Sequence, residues 1–180
     1  MKNILTALTA IVCLSLVNSC KTSSPPVINS TTGMIKQDES GVLSLNIDNA
    51  DTYADMDDRS DNTAEWNVVV SKSGRYNVWI TSETMDTTNL RYKNPVLVNV
   101  QDKILQAHPD CDRIVTNSSD VHKPYFRADS FIGSLYLQDT GQFYVQVTSE
   151  MIVPRDYNVS ESTASDIARL ISVSFMPATR

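Results

Sequence analysis

Tyr53, Arg91, Tyr92, Tyr125 and Tyr157 stand in polar stretches that lack an alternating apolar pattern. Residues 48–63, 82–94, 116–130 and 150–167 surround them and are rich in Asp, Asn, Ser and Thr, with Phe126 beside Tyr125. Flat rings and planar polar groups together suit a hydroxylated ligand such as a sugar. The ring lies under a C–H face while amides, carboxylates and guanidinium groups take the hydroxyls. The plainer use of each tyrosine is to pin its own loop. Trp79, Tyr136 and Tyr144 form a second set, at outward positions of alternating segments. Such rings make a platform for a glycan chain, or they pack under a loop or against a partner.

Metal chemistry has thinner support. The stretch IDNADTYADMDDRSDN, residues 47–62, carries six Asp against one Arg. Asp55, Asp57, Asp58 and Asp61 could face a calcium ion, yet the Gly that an EF-hand loop needs at its turn is missing, so a solvated acidic loop is the reading. His108, Cys111 and Asp112, with His122 further on, supply one close ligand pair where transition-metal sites show two. No cofactor is expected on these grounds. Catalysis has no signature either: there is no G-x-S-x-G elbow, no H-E-x-x-H and no phosphate-cradling Gly loop. Among so many Asp residues nothing singles out a carboxylate pair for glycoside hydrolysis.

The frame for these side chains is legible as alternation. In AEWNVVV, residues 64–70, Trp66, Val68 and Val70 alternate with Glu65, Asn67 and Val69; in 75–81, Tyr76, Val78 and Ile80 alternate with Arg75, Asn77, Trp79 and Thr81. Alternating β-branched and aromatic residues mark half-buried strands. A two-residue loop would set Val70 against Arg75 and mix the faces. The three-residue loop Lys72-Ser73-Gly74 instead sets Val70 opposite Tyr76, Val68 opposite Val78 and Trp66 opposite Ile80. This predicts a hairpin with Gly74 at its left-handed closing position.

The stretch FIGSLYLQDTGQFYVQVTS, residues 131–149, has the same outline. Its loop, Asp139-Thr140-Gly141, sets Leu137 opposite Phe143, Leu135 opposite Val145 and Gly133 opposite Val147, and pairs Tyr136 with Tyr144 on the other face. Further strands are expected at Gly41–Ile47, Pro95–Val100 and Ala168–Met176, with a short one near Arg113–Val115 and a turn around Ser162–Ala168. Many short strands with polar connections predict an all-β fold, an antiparallel β-sandwich.

The chain opens with Lys2, a mostly small or apolar run from Ile4 to Val17, and then Asn18-Ser19-Cys20. This is the pattern of an export signal. Val-Asn-Ser-Cys resembles the bacterial lipobox, which implies that Cys20 is acylated and becomes the first residue. Several acyl chains together make a stable anchor. The resemblance is to Bacteroides-type lipoproteins, and Asp86-Thr87-Thr88 is similar to the short O-glycosylation pattern of that group. An outer-membrane lipoprotein facing the periplasm is expected, with display at the cell surface as the alternative. The organisation expected is a signal peptide over 1–19, a lipidated tether over 20–40 and one domain over 41–180.

Charge and cysteine count bound the rest. The net charge of −6 becomes −7 once Lys2 leaves, and an acidic chain repels phosphate backbones, which argues against a nucleic-acid partner. Cys13 departs with the signal and Cys20 carries lipid, so Cys111 is alone and the domain is held without a disulfide.

The run from Ala64 to Ile80 resembles the "W, alternating apolars, G-x-Y-x-V" core of galactose-binding-like jelly rolls, a group that includes carbohydrate-binding modules. Val96-Leu97-Val98, Ile132-Gly133-Ser134-Leu135-Tyr136-Leu137, Gly141–Val147 and Ile171–Phe175 are similar to its later strands. The resemblance implies a jelly roll whose four long loops gather at one rim, with a structural calcium found in some relatives. The function this implies is a lipid-anchored, non-catalytic carbohydrate-binding module acting through rim loops. The alternative is an envelope scaffold or subunit that binds another protein through exposed aromatics. Core motifs of this kind support a fold, and a fold alone does not specify function.

Overall fold

The computed structural model describes residues 33–55, 57–153 and 168–179. Cys20, Tyr157, the leader and most of the expected Ser162–Ala168 turn lie outside the described residues. Among the described residues eleven strands follow one another: β1 (Ile35–Lys36), β2 (Leu43–Asn46), β3 (Asp51–Tyr53), β4 (Thr63–Val70), β5 (Gly74–Thr84), β6 (Val96–Val100), β7 (Lys103–Ala107), β8 (Arg113–Val115), β9 (Phe126–Leu137), β10 (Gly141–Thr148) and β11 (Arg169–Pro177). One sheet has the order β1-β4-β10-β6-β7, with β3 also on β4; the other has the order β2-β11-β5-β9-β8. All pairings are antiparallel except β1 with β4. Two such sheets packed face to face make a β-sandwich, the class that alternation predicts.

The core is built from the inward positions read in the sequence. Trp66, Val68, Val70, Tyr76, Val78, Ile80, Leu137, Val145 and Val147 are all buried, as are Leu43, Leu45, Val96, Val98, Val173 and Phe175. Trp66 also donates Nε1–H to the Asn46 carbonyl at 2.8 Å, so its one polar group does not go unpaired inside. Removing a ring of this size from a core costs about 3–5 kcal/mol.

The pairing differs from the expected hairpins. β4 and β5 lie in different sheets, as do β9 and β10, so both Gly-closed turns are arches that cross the core. Val70, Val68 and Trp66 stand beside Gly141, Phe143 and Val145, while Gly74 and Tyr76 stand beside Leu137 and Leu135. Each arch therefore pairs with the other arch instead of with itself. An arch and a hairpin need the same alternation, because in both the apolar side chains of the two strands end up in one core. What distinguishes them is where the turn's backbone groups bond. Here Gln37 Oε1 accepts from Ser71 N at 2.7 Å and Lys72 N at 2.9 Å, and the Tyr76 hydroxyl donates to the Lys72 carbonyl at 2.6 Å.

Two further expectations change with the arches. Tyr136 and Tyr144 are not partners; they stand on the outer faces of opposite sheets, beside Arg75 and Asn67 respectively. The domain also begins before residue 41: Ile35 and Lys36 pair with β4, and Gln37 holds the first arch, so the expected tether ends earlier. Strand β7 escapes the alternation test because it is an edge strand whose outward Ile104 is 64% exposed.

A bulge between Val78 and Trp79 in the β5–β9 register brings Gly133 to φ +137°, where a Cβ would also meet the Leu105 side chain at 3.3 Å. Only Gly avoids both costs there.

The arch pairing makes a cross-linking prediction. In a Cys111→Ser background, Asn67→Cys with Tyr144→Cys should oxidise to a disulfide, since paired Cα atoms stand about 4.5–5.5 Å apart. Asn67→Cys with Trp79→Cys, the pair a hairpin would bring together, should stay reduced. Gel mobility with and without reductant reads both.

Candidate functional site

β5 and β10 both run towards the end of the sandwich opposite the arches, and β4, β9 and β11 start there. The described parts of the connections 54–62, 85–95, 116–125 and 149–168 therefore share one rim, as the resemblance implies. Most of what that rim displays is occupied in holding itself. Tyr92 packs against the core, its hydroxyl 2.8 Å from Ser82 Oγ. Burial, with Glu150 nearby, pushes the Tyr92 hydroxyl far above its ordinary range against the opposing bond from Ser82. Glu150 Oε1 accepts from Lys93 N at 2.6 Å and Asn94 N at 3.0 Å, tying the next residues down. Arg91 is exposed at φ +57° and pairs with Asp86 of its own loop at 3.3 Å. Hydrogen bonds, chiefly from the Thr88 hydroxyl and amide, hold Asp86 down to about 2. Tyr125 is half-buried, and its backbone closes a turn on the His122 carbonyl.

The acidic loop is pinned in the same way. Asp55 Oδ1 accepts from the amides of Asp57 and Asp58, and Asp58 Oδ1 accepts from Ser60 N. Buried Asn62 clamps the loop from below, accepting from Asp55 N and donating to the Ile152 carbonyl, both at 3.0 Å. Among the described residues no group of three or more His, Cys, Asp or Glu is placed to hold a metal ion. Cys111 is half-buried beside Leu90, Ala128 and Ala168, and burial with neighbouring carboxylates raises its thiol.

An ion cluster ties β5, β8 and β9 together near the rim. Asp129 is buried and accepts from Arg113, from Arg127 Nε at 2.7 Å and from Thr81 Oγ1 at 2.9 Å, while Arg127 also bonds Asp120. Burial alone would raise the Asp129 carboxyl; the bonds from Arg127, Arg113 and Thr81 outweigh it and hold the group below its ordinary value.

The outer face of the six-stranded sheet has the opposite character. β4, β10 and β6 turn Glu65, Asn67, Gln142, Tyr144, Gln146 and Asn99 outward, and registers set Asp51, Glu65, Gln146 and Asn99 in one row across four strands. A hollow of about 350 Å³ lies over this face, with Glu65, Asn99, Gln101, Gln142, Tyr144 and Gln146 among its lining residues. Tyr144 is 46% exposed, and Tyr53 at the end of β3 is equally so. The side chains of Asn99, Gln142, Tyr144 and Gln146 make no hydrogen bond with another described residue. Asn67 Oδ1 is buried without a partner among the described residues. Burial, with Asp51 alongside, raises the Glu65 carboxyl. Planar donors and acceptors on a rigid sheet, with a ring among them, can hold a polyhydroxylated ligand without rearranging.

Of the residues singled out in the sequence, Tyr53 borders this face and Tyr144 sits in it. Arg91, Tyr92 and Tyr125 belong to the rim, and Trp79 lies on the other sheet, its ring 5.3 Å from that of Phe131. Sequence reasoning missed the amides Asn67, Asn99, Gln142 and Gln146. The signal was there: all occupy outward strand positions as planar amides. Without the correct pairing they could not be gathered on one face.

No protein-family model matches the chain, and no curated protein matches it. Among solved structures it is similar to an alpha-L-fucosidase from Vibrio sp. strain EJY3, at 16% identity and TM-score 0.60, covering 80% of this chain and 24% of that one. It is also similar to a GH26-CBM35 beta-(1,4)-mannanase of Podospora anserina, at 10% identity and TM-score 0.44, covering 78% of this chain and 28% of that one. A third is the insecticidal crystal protein Cry2Aa, at 12% identity and TM-score 0.45, covering 81% of this chain and 23% of that one. The chain thus spans about a quarter of each of these proteins. The first likeness is one of fold.

Asp129 carries a stability prediction. Asp129→Asn should lower the unfolding free energy at pH 7 by about 1–3 kcal/mol, the scale of charged hydrogen bonds lost in a buried site. The folded carboxyl titrates below its unfolded value of about 3.9, so its contribution is full above that pH and fades as pH falls through the lower folded value. Urea titrations at pH 7 and pH 3 should therefore show the gap between the two proteins narrowing in acid.

Proposed function

We propose that this chain is a lipid-anchored, non-catalytic carbohydrate-binding module whose contact surface is the outer face of the six-stranded sheet. The observation that carries the reading is the cluster of Asn99, Gln142 and Gln146 around exposed Tyr144, with no bonds to other described residues. Amides that donate and accept in one plane match vicinal hydroxyls, and the tyrosine ring supplies the apolar contact that a sugar's C–H face needs. Glu65 and Asp51 give the face a negative edge, which favours a neutral saccharide over an acidic one. The fold shared with part of an alpha-L-fucosidase supports a saccharide as the ligand class. The role is glycan capture at the cell envelope, with the export signal and Cys20 as the anchor on the outer membrane and the periplasmic face as the setting.

A protein partner is the competing reading, favoured by Ile104 and Leu97, which stand exposed on the outer side of the same sheet beside its free β7 edge. The two readings part on one experiment. Glycan-array binding, followed by calorimetry on the glycan found, should lose about tenfold or more in affinity with Tyr144→Ala, while Tyr92→Ala should act through stability alone. Absence of binding to bacterial, plant and host glycans, with a stoichiometric protein captured and then lost on Ile104→Asp, would choose the partner.

The anchor has its own test. Cys20→Ala should abolish incorporation of labelled palmitate and move the protein from the membrane fraction to the soluble one.

A further inference from the structure

We propose a second binding site, for a carboxylate-bearing saccharide, at the arch end of the five-stranded sheet; it rests on the carbohydrate reading but uses a different surface. An open groove of about 830 Å³ lies there, within the roughly 300–1,000 Å³ of ligand sites. Its walls are the first arch on one side and the end of β11 on the other, with Lys72, Arg75, Asn77, Ser134, Tyr136 and Pro177 among the lining residues. Arg75 and Tyr136 are register partners on β5 and β9, both facing outward and both exposed, Tyr136 by 54%.

The chemistry of these groups is specific. Arg75 makes no ion pair or side-chain hydrogen bond with another described residue, so its planar fork is free to take a carboxylate in two parallel bonds. One row along the sheet, Ser134 Oγ donates to Asn77 Oδ1 at 2.6 Å, which orients the Asn77 amide and leaves its N–H groups to donate to a ligand. Lys72 Nζ bonds the Glu39 carbonyl, a neutral partner, and so keeps its positive charge at the groove's edge. Among the described residues no carboxylate side chain lines the groove. In a chain of net charge −6, two cations beside an open ring, with no acidic side chain among the described lining residues, make the groove locally basic.

A further row on, Trp79 and Phe131 continue the same outer face with their rings 5.3 Å apart. Rows on a strand are about 6.6 Å apart, so the aromatic pair lies roughly 13 Å from Arg75 and Tyr136. The arrangement suits an extended chain whose acidic unit sits at the arginine. An anionic lipid surface would call for more: roughly four to eight clustered basic residues mark such sites, and the groove has two.

The test uses the full chain in detergent and three uronate polymers: polygalacturonate, alginate and hyaluronan. At least one should bind and weaken as salt rises. For polygalacturonate the methyl ester, and for the other two the carboxyl-amidated polymer, should bind about tenfold less well. Arg75→Ala should lose about tenfold or more, Arg75→Lys should keep part of the affinity, and Tyr144→Ala on the other sheet should leave it unchanged. Binding to none of the three, equal binding of charged and neutralised polymer, or wild-type affinity in Arg75→Ala would each overturn the proposal. So would Arg75-dependent binding to phosphatidylglycerol vesicles without binding to any polymer. Neutral-glycan binding that still depends on Tyr144 would leave the first site standing after such a failure; loss of neutral and acidic binding alike would end both.

Discussion

Interlocking of two arches is the constraint on which this sandwich depends. β4 and β5 leave the first arch into different sheets, and β9 and β10 leave the second in the same way, so each of these four strands takes one of its ladders from the other arch and none from its own. Neither half could satisfy its backbone alone, because a buried unpaired amide or carbonyl costs about as much as a lost hydrogen bond. The contacts joining the two arches are distant in sequence, so the chain must close long loops before those bonds form. Gln37 makes the first crossing possible by accepting from Ser71 and Lys72, whose amides a hairpin would have turned towards its own partner strand.

That interlock divides the polar side chains into two populations. At the rim, Asp129, Asn62, Glu150 and Tyr92 are turned inward to tie loops to strand ends, Asp129 matched to arginines and Asn62 and one oxygen of Glu150 to backbone groups. On the broad faces, polar groups stand on strands already rigid and need no further support. The described part of the rim spends its polar groups on its own loops, whereas the sheet faces carry amides and rings already in place. Preorganisation of this kind lowers the ordering cost of binding.

The two faces differ in charge for a reason visible in their rows. Asp51 and Glu65 are neighbours on the six-stranded sheet, where burial, with the like charge of Asp51, raises the Glu65 carboxyl. On the five-stranded sheet the acids near the rim are neutralised by Arg113, Arg127 and Arg169, while Arg75 at the arch end has no such partner among the described residues. One fold thus offers a neutral-to-acidic surface and a basic groove on opposite sides.

Alternation alone was enough to place most strands and nearly all of the core, since a period of two tells which side chains face inward whatever lies alongside. Trp66, Val68, Val78 and Ile80 are buried because of their spacing, and the all-β class follows from many such short runs. That the loops flanking each turn share an end was legible too, because arch and hairpin both send the chain back; that both pairs meet at one rim was implied by the resemblance. Which strands are neighbours was not legible: inward facing is a property of one strand, whereas pairing depends on backbone groups far away in sequence. That is why Tyr136 and Tyr144 looked like partners, and why Asn67, Asn99, Gln142 and Gln146 could not be assembled into a surface until three strands were set side by side.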